Sequence, residues 1–278
     1  MHKKTIILIL LALFVAGIPM SYGQKSKQKQ TKISKRYKTK EAKYEAAKTY
    51  YAKGAYLSAA QLFEEIYPLY ISSPEGENIL FLFADSYMKN QDYLMAAFHF
   101  KDYLRRYPQS QRAEDATFLA AKCYYMNSPA YNLDQTDSYL AIEDLEIFLN
   151  TYSGSKFQNE ANGMIDTLRN KLARKDFNIA CMYYDIGSYK AAQIIFNNLF
   201  KDYPNCEYTE ESLFYLVKNS YEYAQKSVES KKTERYQTVI ENKNRLKAYN
   251  PESKFLQEAE KLAADAEKRR NKLLENNQ

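Results

Sequence analysis

The 278-residue chain has no tryptophan, only seven glycines and seven prolines, three cysteines and two histidines. So few punctuating residues exclude a fold of many short strands and tight turns and favour long helices. No pair among Cys123, Cys181 and Cys206 has metal-ligand spacing, and an odd number excludes full internal pairing. Cys123 and Cys181 stand among small residues on apolar helix faces, which reads as buried free thiols. There is no glycine-rich phosphate loop and no G-x-S-x-G elbow. Beyond His2, the one histidine is His99, inside the apolar run Ala96-Ala97-Phe98-His99-Phe100, where packing is the expected role. The carboxylate pairs Glu64/Glu65 and Glu143/Asp144 fall on helix faces expected to be solvated, without a pocket to shift their pKa values. These absences predict a protein that is not an enzyme and takes no metal or cofactor.

Acidic residues are also missing, from the first forty positions. Lys3 and Lys4 precede an apolar run from Ile6 to Ile18, and Ser21-Tyr22-Gly23 has small residues at the minus-3 and minus-1 positions of a cleavage site. The run is too short for a spanning helix, so 1–23 reads as a signal peptide, with an uncleaved anchor as the alternative. Residues 24–40 form a basic arm expected to be disordered. The ten basic residues before Glu41, taken from the 40 in the chain, leave 30 against 34 acidic ones. The body is therefore mildly acidic despite the formal +6, which argues against nucleic acid as a partner. The arm reads either as a solvated lead-in or as a contact for anionic lipid or an acidic partner.

What is abundant is tyrosine, 27 residues, with 14 phenylalanines. They recur in register. Ala59, Ala96, Ala141 and Ala192 are each followed four residues later by Phe63, Phe100, Leu145 and Phe196. Eleven residues after each alanine come Tyr70, Tyr107, Tyr152 and Tyr203, two of them followed by Pro108 and Pro204. Upstream lie the pairs Ala47/Tyr50, Ala84/Tyr87, Ala121/Tyr124 and Ala180/Tyr183. This pattern predicts an all-α, tetratricopeptide-type helical-hairpin solenoid of about five irregular repeats over 41–253. Small residues let helices A and B approach, a ring one turn on fills the groove, and proline ends helix B. Gly54, Gly187 and Asn90-Gln91-Asp92 mark the A–B turns. In a weaker fifth unit Thr238 takes the alanine place and Tyr221 lies on helix A. Residues 254–278 are expected to cap the stack. Extra residues enter the third unit at 127–136 and the fifth between Tyr221 and Thr238.

The insert Ser128-Pro129-Ala130-Tyr131-Asn132-Leu133-Asp134-Gln135-Thr136, followed by Phe148-Leu149-Asn150-Thr151-Tyr152, resembles the BamD family of the outer-membrane β-barrel assembly machine. Phe177-Asn178-Ile179-Ala180 through Lys201-Asp202-Tyr203-Pro204 resembles that family's fourth repeat after a long linking helix. The resemblance covers roughly 40–253. It implies a periplasmic scaffold at the inner face of the outer membrane. Its C-terminal half would bind periplasmic domains of the barrel-forming subunit, and its N-terminal half unfolded barrel substrates. The family carries a cysteine directly after the signal, where this chain has Gln24. Membrane attachment is therefore expected through the partner. The alternative is a periplasmic repeat adaptor for cell-wall synthesis proteins.

Candidate recognition residues are Tyr51 and Tyr125 on helices A and Lys218, Tyr221, Arg235 and Arg245 in the fifth unit. Asn132, Asp134 and Gln135 form either a ligand loop or a helix cap.

Overall fold

The computed structural model describes residues 33–204 and 206–276. The signal segment 1–23 and the arm up to residue 32 lie outside the described residues. Among the described residues there are eleven α-helices and no strand. The first ten pair as hairpins: α1 (Lys40–Ala52) with α2 (Tyr56–Ile66), and α3 (Pro74–Lys89) with α4 (Tyr93–Arg106). Then come α5 (Ala113–Asn127) with α6 (Thr136–Thr151), and α7 (Gln158–Asp185) with α8 (Tyr189–Asp202). The last pair is α9 (Thr209–Gln225) with α10 (Glu229–Tyr249), and α11 (Leu256–Glu275) covers the end of the stack. This is the tetratricopeptide-type solenoid of five repeats. Its arm has structure at its end: Ile33 and Tyr37 pack on the first repeat, and Lys40 already belongs to α1.

The repeat register explains the packing. Ala47, Ala84, Ala121 and Ala180 on helices A, and Ala59, Ala96, Ala141 and Ala192 on helices B, are all fully buried. Phe63, Phe100, Leu145 and Phe196 fill the space one turn later, equally buried. Helices α4 and α8 stop one residue before Tyr107-Pro108 and Tyr203-Pro204. At the A–B turns Gly54 and Gly187 have φ near +77° and +76°, and Gln91 adopts +66° at the same position of its unit. That left-handed backbone suits glycine and strains glutamine.

The fifth unit is offset by one residue from its sequence alignment. Val239 is fully buried in the seat that alanine holds elsewhere, and Val217 fills the helix A seat. Thr238 is half-buried, its hydroxyl donating to the Glu234 carbonyl at 3.2 Å. The extra residues of this unit lengthen α10 instead of forming a loop.

A polar latch joins successive helices A. Ser110 donates to Glu77 at 2.6 Å, Ser155 to Glu114 at 2.5 Å and Ser253 to Glu210 at 2.6 Å. Each serine also accepts from the backbone two residues on, at Arg112, Phe157 and Phe255. Each glutamate lies in the first turn of its helix, where the backbone dipole favours negative charge. In the fourth unit both places are apolar or nearly so, Ala173 and Cys206, and both are buried. The Glu77 carboxylate also accepts from Tyr103 at 2.8 Å. The hydrogen bonds from Ser110 and Tyr103 hold its pKa below the usual glutamate range.

The 28-residue α7 accounts for the widest repeat spacing. Its first half closes the third unit through Ala161, Met164, Ile165 and Leu168. Its second half is helix A of the fourth unit through Ala173, Phe177 and Ala180.

Two predictions follow from this packing. A Cβ at Gly76 would lie 2.2 Å from the Tyr70 carbonyl oxygen and 3.0 Å from the Tyr107 hydroxyl. Gly76→Ala should therefore lower stability by about 1–3 kcal/mol in urea unfolding, since main chain must move. Glu77→Gln should also destabilise. Because the folded pKa of Glu77 is depressed, the wild-type advantage is present at neutral pH and shrinks as pH falls through that value; thermal melts from pH 7 to 3 measure it.

Candidate functional site

In such a stack the helix A surfaces turned away from helices B line the inner, concave face. One position recurs there, four residues after the small seat: Tyr51, Met88, Tyr125, Tyr184 and Tyr221. The tyrosines of this ladder are half-buried. Tyr51 donates to Asp85 on the next helix A, and Lys89 donates to the Tyr51 hydroxyl while pairing with Asp85 at 3.1 Å. Tyr221 makes the matching contact at the other end, donating to Asp265 on α11 at 2.5 Å. Tyr184 carries Lys218 of the next helix A over its ring at 5.6 Å. Burial raises the pKa of Tyr51 and Tyr221 and pushes Tyr184 up to about 12. All therefore remain phenols, able to donate a hydrogen bond, at neutral pH.

The ladder brings Tyr51, Tyr125 and Tyr221 onto one kind of surface. Tyr184 belongs with them and went unnoticed in the sequence, although it stands 37 residues before Tyr221, the same interval that separates Tyr51 from Met88.

The insert is the second feature. Asn132 is exposed in it. Asp134 stands one residue before the N-cap of α6, and its carboxylate accepts the Thr136 N–H at 3.0 Å. Hydrogen bonds from Thr136, and then the charge of Lys175, hold its pKa low. Gln135 is buried, only 3% exposed. Its amide donates to the carbonyls of Ala130 at 2.7 Å and Leu133 at 3.2 Å, and its oxygen accepts from Ser138 at 2.8 Å. The side chain is consumed in folding the insert. From α7, Lys171 donates to Ser128 at 2.7 Å and to the Pro129 carbonyl at 3.0 Å, and Lys175 to the Leu133 carbonyl at 2.8 Å.

The fifth-unit candidates do not form one patch. Lys218 faces the Tyr184 ring of α7 and Tyr221 faces α11. Arg235 lies 3.8 Å over the Tyr223 ring and donates to Ser227. Arg245 is on the helix B side, 5.1 Å over Phe200 of α8 and 3.4 Å from Asn197. Helix periodicity, and not chain proximity, separates them.

No catalytic constellation emerges among the described residues. His99 packs parallel to Tyr87, ring centres 5.4 Å apart, and burial pushes its pKa down to about 4, leaving it neutral. Burial pushes the thiols of Cys123 and Cys181 up to about 12, far from thiolate character. No group of three metal-ligating side chains occurs among the described residues, and none of their helices is long and apolar enough to cross a membrane.

Most of the described chain matches a known family. The profile of YfiO, described as outer membrane lipoprotein, matches residues 36–238. The chain belongs to this family. It is the BamD-like family that the insert motif resembled. Membership supports a repeat scaffold of the cell envelope that works through protein–protein contacts. No curated protein sequence matches the chain. Among solved structures, the P58(IPK) TPR domain is 14% identical with a TM-score of 0.40, covering 86% of this chain and 66% of its own. The C-terminal part of a TPR repeat-containing protein from Cytophaga hutchinsonii is 13% identical with a TM-score of 0.30, covering 84% and 98%. In this member of the family the first cysteine is Cys123, buried in α5.

Replacing Lys171 by methionine removes both of its bonds to the insert while keeping an unbranched apolar stem. Amide hydrogen exchange over 128–135 should then accelerate at least several-fold, with exchange in α1 to α4 unchanged.

Proposed function

We propose that the protein is a non-catalytic scaffold of the complex that assembles β-barrel proteins into the outer membrane. It works in the periplasm at the inner face of that membrane, held there by its partner. The C-terminal repeats grip periplasmic domains of the barrel-forming subunit, and the concave face receives extended segments of unfolded barrel proteins. The observation that carries this reading is the tyrosine ladder Tyr51, Tyr125, Tyr184 and Tyr221 in a member of the YfiO family. Barrel strands are alternating, aromatic-rich chains before they fold. Half-buried rings at a regular interval offer such chains apolar contact with a polar handle at each step.

The test is a tagged pull-down from detergent-solubilised envelope, followed by mass spectrometry. A large barrel protein with repeated periplasmic domains should be the main partner. Lys218→Glu combined with Arg235→Glu should weaken its capture at least about tenfold, or 1.4 kcal/mol. Tyr51→Ala combined with Tyr125→Ala should spare that capture and reduce cross-linking to unfolded barrel clients. Recovery of cell-wall synthesis enzymes in place of the barrel subunit would sink the proposal in favour of a periplasmic adaptor.

A further inference from the structure

Between the insert and the loop that joins α8 to α9, helix α7 floors an open groove. Two cavities of about 510 and 610 Å³ meet along it and share Asp166 and Asn170. Tyr131 from the insert and Tyr208 from the loop before α9 form its walls. Asn170 fixes that loop by accepting the Glu207 N–H at 3.1 Å.

Three charges that α7 turns into the groove lack ionic partners. Lys171 and Arg174 lie three residues apart and thus on one face of α7. Lys171 meets only a hydroxyl and a carbonyl, and Arg174 only the Tyr131 ring, at 4.2 Å. Asp166, two turns earlier on the same helix, is equally unpaired. None of the three occurs in any ion pair among the described residues, although neighbours on the same helix do: Arg169 pairs with Glu146 at 2.7 Å and Glu160 with Lys122 at 2.6 Å. Burial alone lowers the pKa of Lys171, with no anion to offset it. Eight residues of helix separate Asp166 from Arg174, a rise of about 12 Å. An extended chain covers that distance in about four residues. Glu207 also lines the cavity with Lys171 and Arg174, leaving that end net basic. Asp202 and Lys201 join Asp166 at the other end, where Arg169 is neutralised by Glu146, leaving it net acidic, and tyrosines form the walls.

We infer that this groove binds an extended polypeptide segment whose acidic side chain meets Lys171 and Arg174 and whose basic side chain, about four residues away, meets Asp166. Charge polarity along α7 fixes the direction in which the segment lies. The site is separate from the tyrosine ladder and goes beyond the scaffold role. It does not depend on which complex the protein joins.

Fluorescence anisotropy at low salt tests it with three labelled heptapeptides and the full chain: Gly-Glu-Tyr-Ser-Tyr-Lys-Gly, its charge-exchanged form Gly-Lys-Tyr-Ser-Tyr-Glu-Gly, and a control with glutamine at both charged places. One charged peptide should bind about tenfold more tightly than the control and than the other charged peptide. Arg174→Glu should abolish that preference. Arg174→Glu with Asp166→Lys should transfer it to the charge-exchanged peptide. Both positions are exposed, so thermal unfolding should be unchanged in the variants. Equal binding of all three peptides, or a preference that survives Arg174→Glu, overturns the inference. Because the assay contains no barrel subunit, that failure would leave the assembly reading standing, and a failed pull-down would leave this one standing.

Discussion

The structure depends on the close approach of paired helices through small side chains. Eight alanines, one on each helix of the first four hairpins, have no exposed surface. A larger side chain in these seats would hold the backbones apart, and the ring one turn later would lose its groove. With the spacing set, each hairpin presents an apolar face that only the next hairpin can cover. The same spacing brings the first turn of one helix A within reach of the loop before the next. That is why the Ser–Glu latches recur where they do. The first unit keeps Ser73 with Lys40 in the acid's place, whereas in the fourth unit Ala173 replaces the acid and Cys206 the hydroxyl. A lone buried carboxylate or hydroxyl there would be left without its partner, at a cost of about 1–3 kcal/mol.

This constraint is also what made the fold legible. Alanine, aromatic and proline signals at fixed offsets are direct consequences of helix contact, so hairpins one to four could be read in register. The fifth unit failed by one residue for a physical reason. Its seats hold Val217 and Val239, so no alanine marks them. Tyr249 stands eleven residues after Thr238, the interval that separates Tyr107 from Ala96, yet the true seat is one residue later, as Ser253 and Ser110 show by occupying matching places. Loop chemistry tracked the fold better than the ring did, because the serine is fixed by two hydrogen bonds.

The candidate site was less legible. Tyr51, Tyr125 and Tyr221 could be placed on helix A from periodicity, but not the aspartates they meet, Asp85 and Asp265, which lie 34 and 44 residues away. In the insert, a polar composition suited both a ligand loop and a cap. Geometry divides it: Gln135 turns inward to satisfy carbonyls, Asp134 accepts the first N–H of α6, and Asn132 stays exposed. Arg245 was grouped with Lys218 by chain proximity, yet the two lie on different helices of the hairpin and face different neighbours.

The tyrosine ladder also bears on how a scaffold of this kind would hold a client without trapping it. The hydroxyls of Tyr51 and Tyr221 are already bonded inside the protein, to Asp85 and Asp265. A client therefore gains mainly the exposed part of each ring, and a hydroxyl contact only by displacing a charge-assisted bond. Each step is weak. Several weak steps on one chain add through effective concentration, so a long unfolded segment is retained while any single contact exchanges quickly. Retention would then scale with the length of unfolded chain. On the proposed function, a segment that folded away into a barrel would take its rings with it and lose its hold on the ladder step by step.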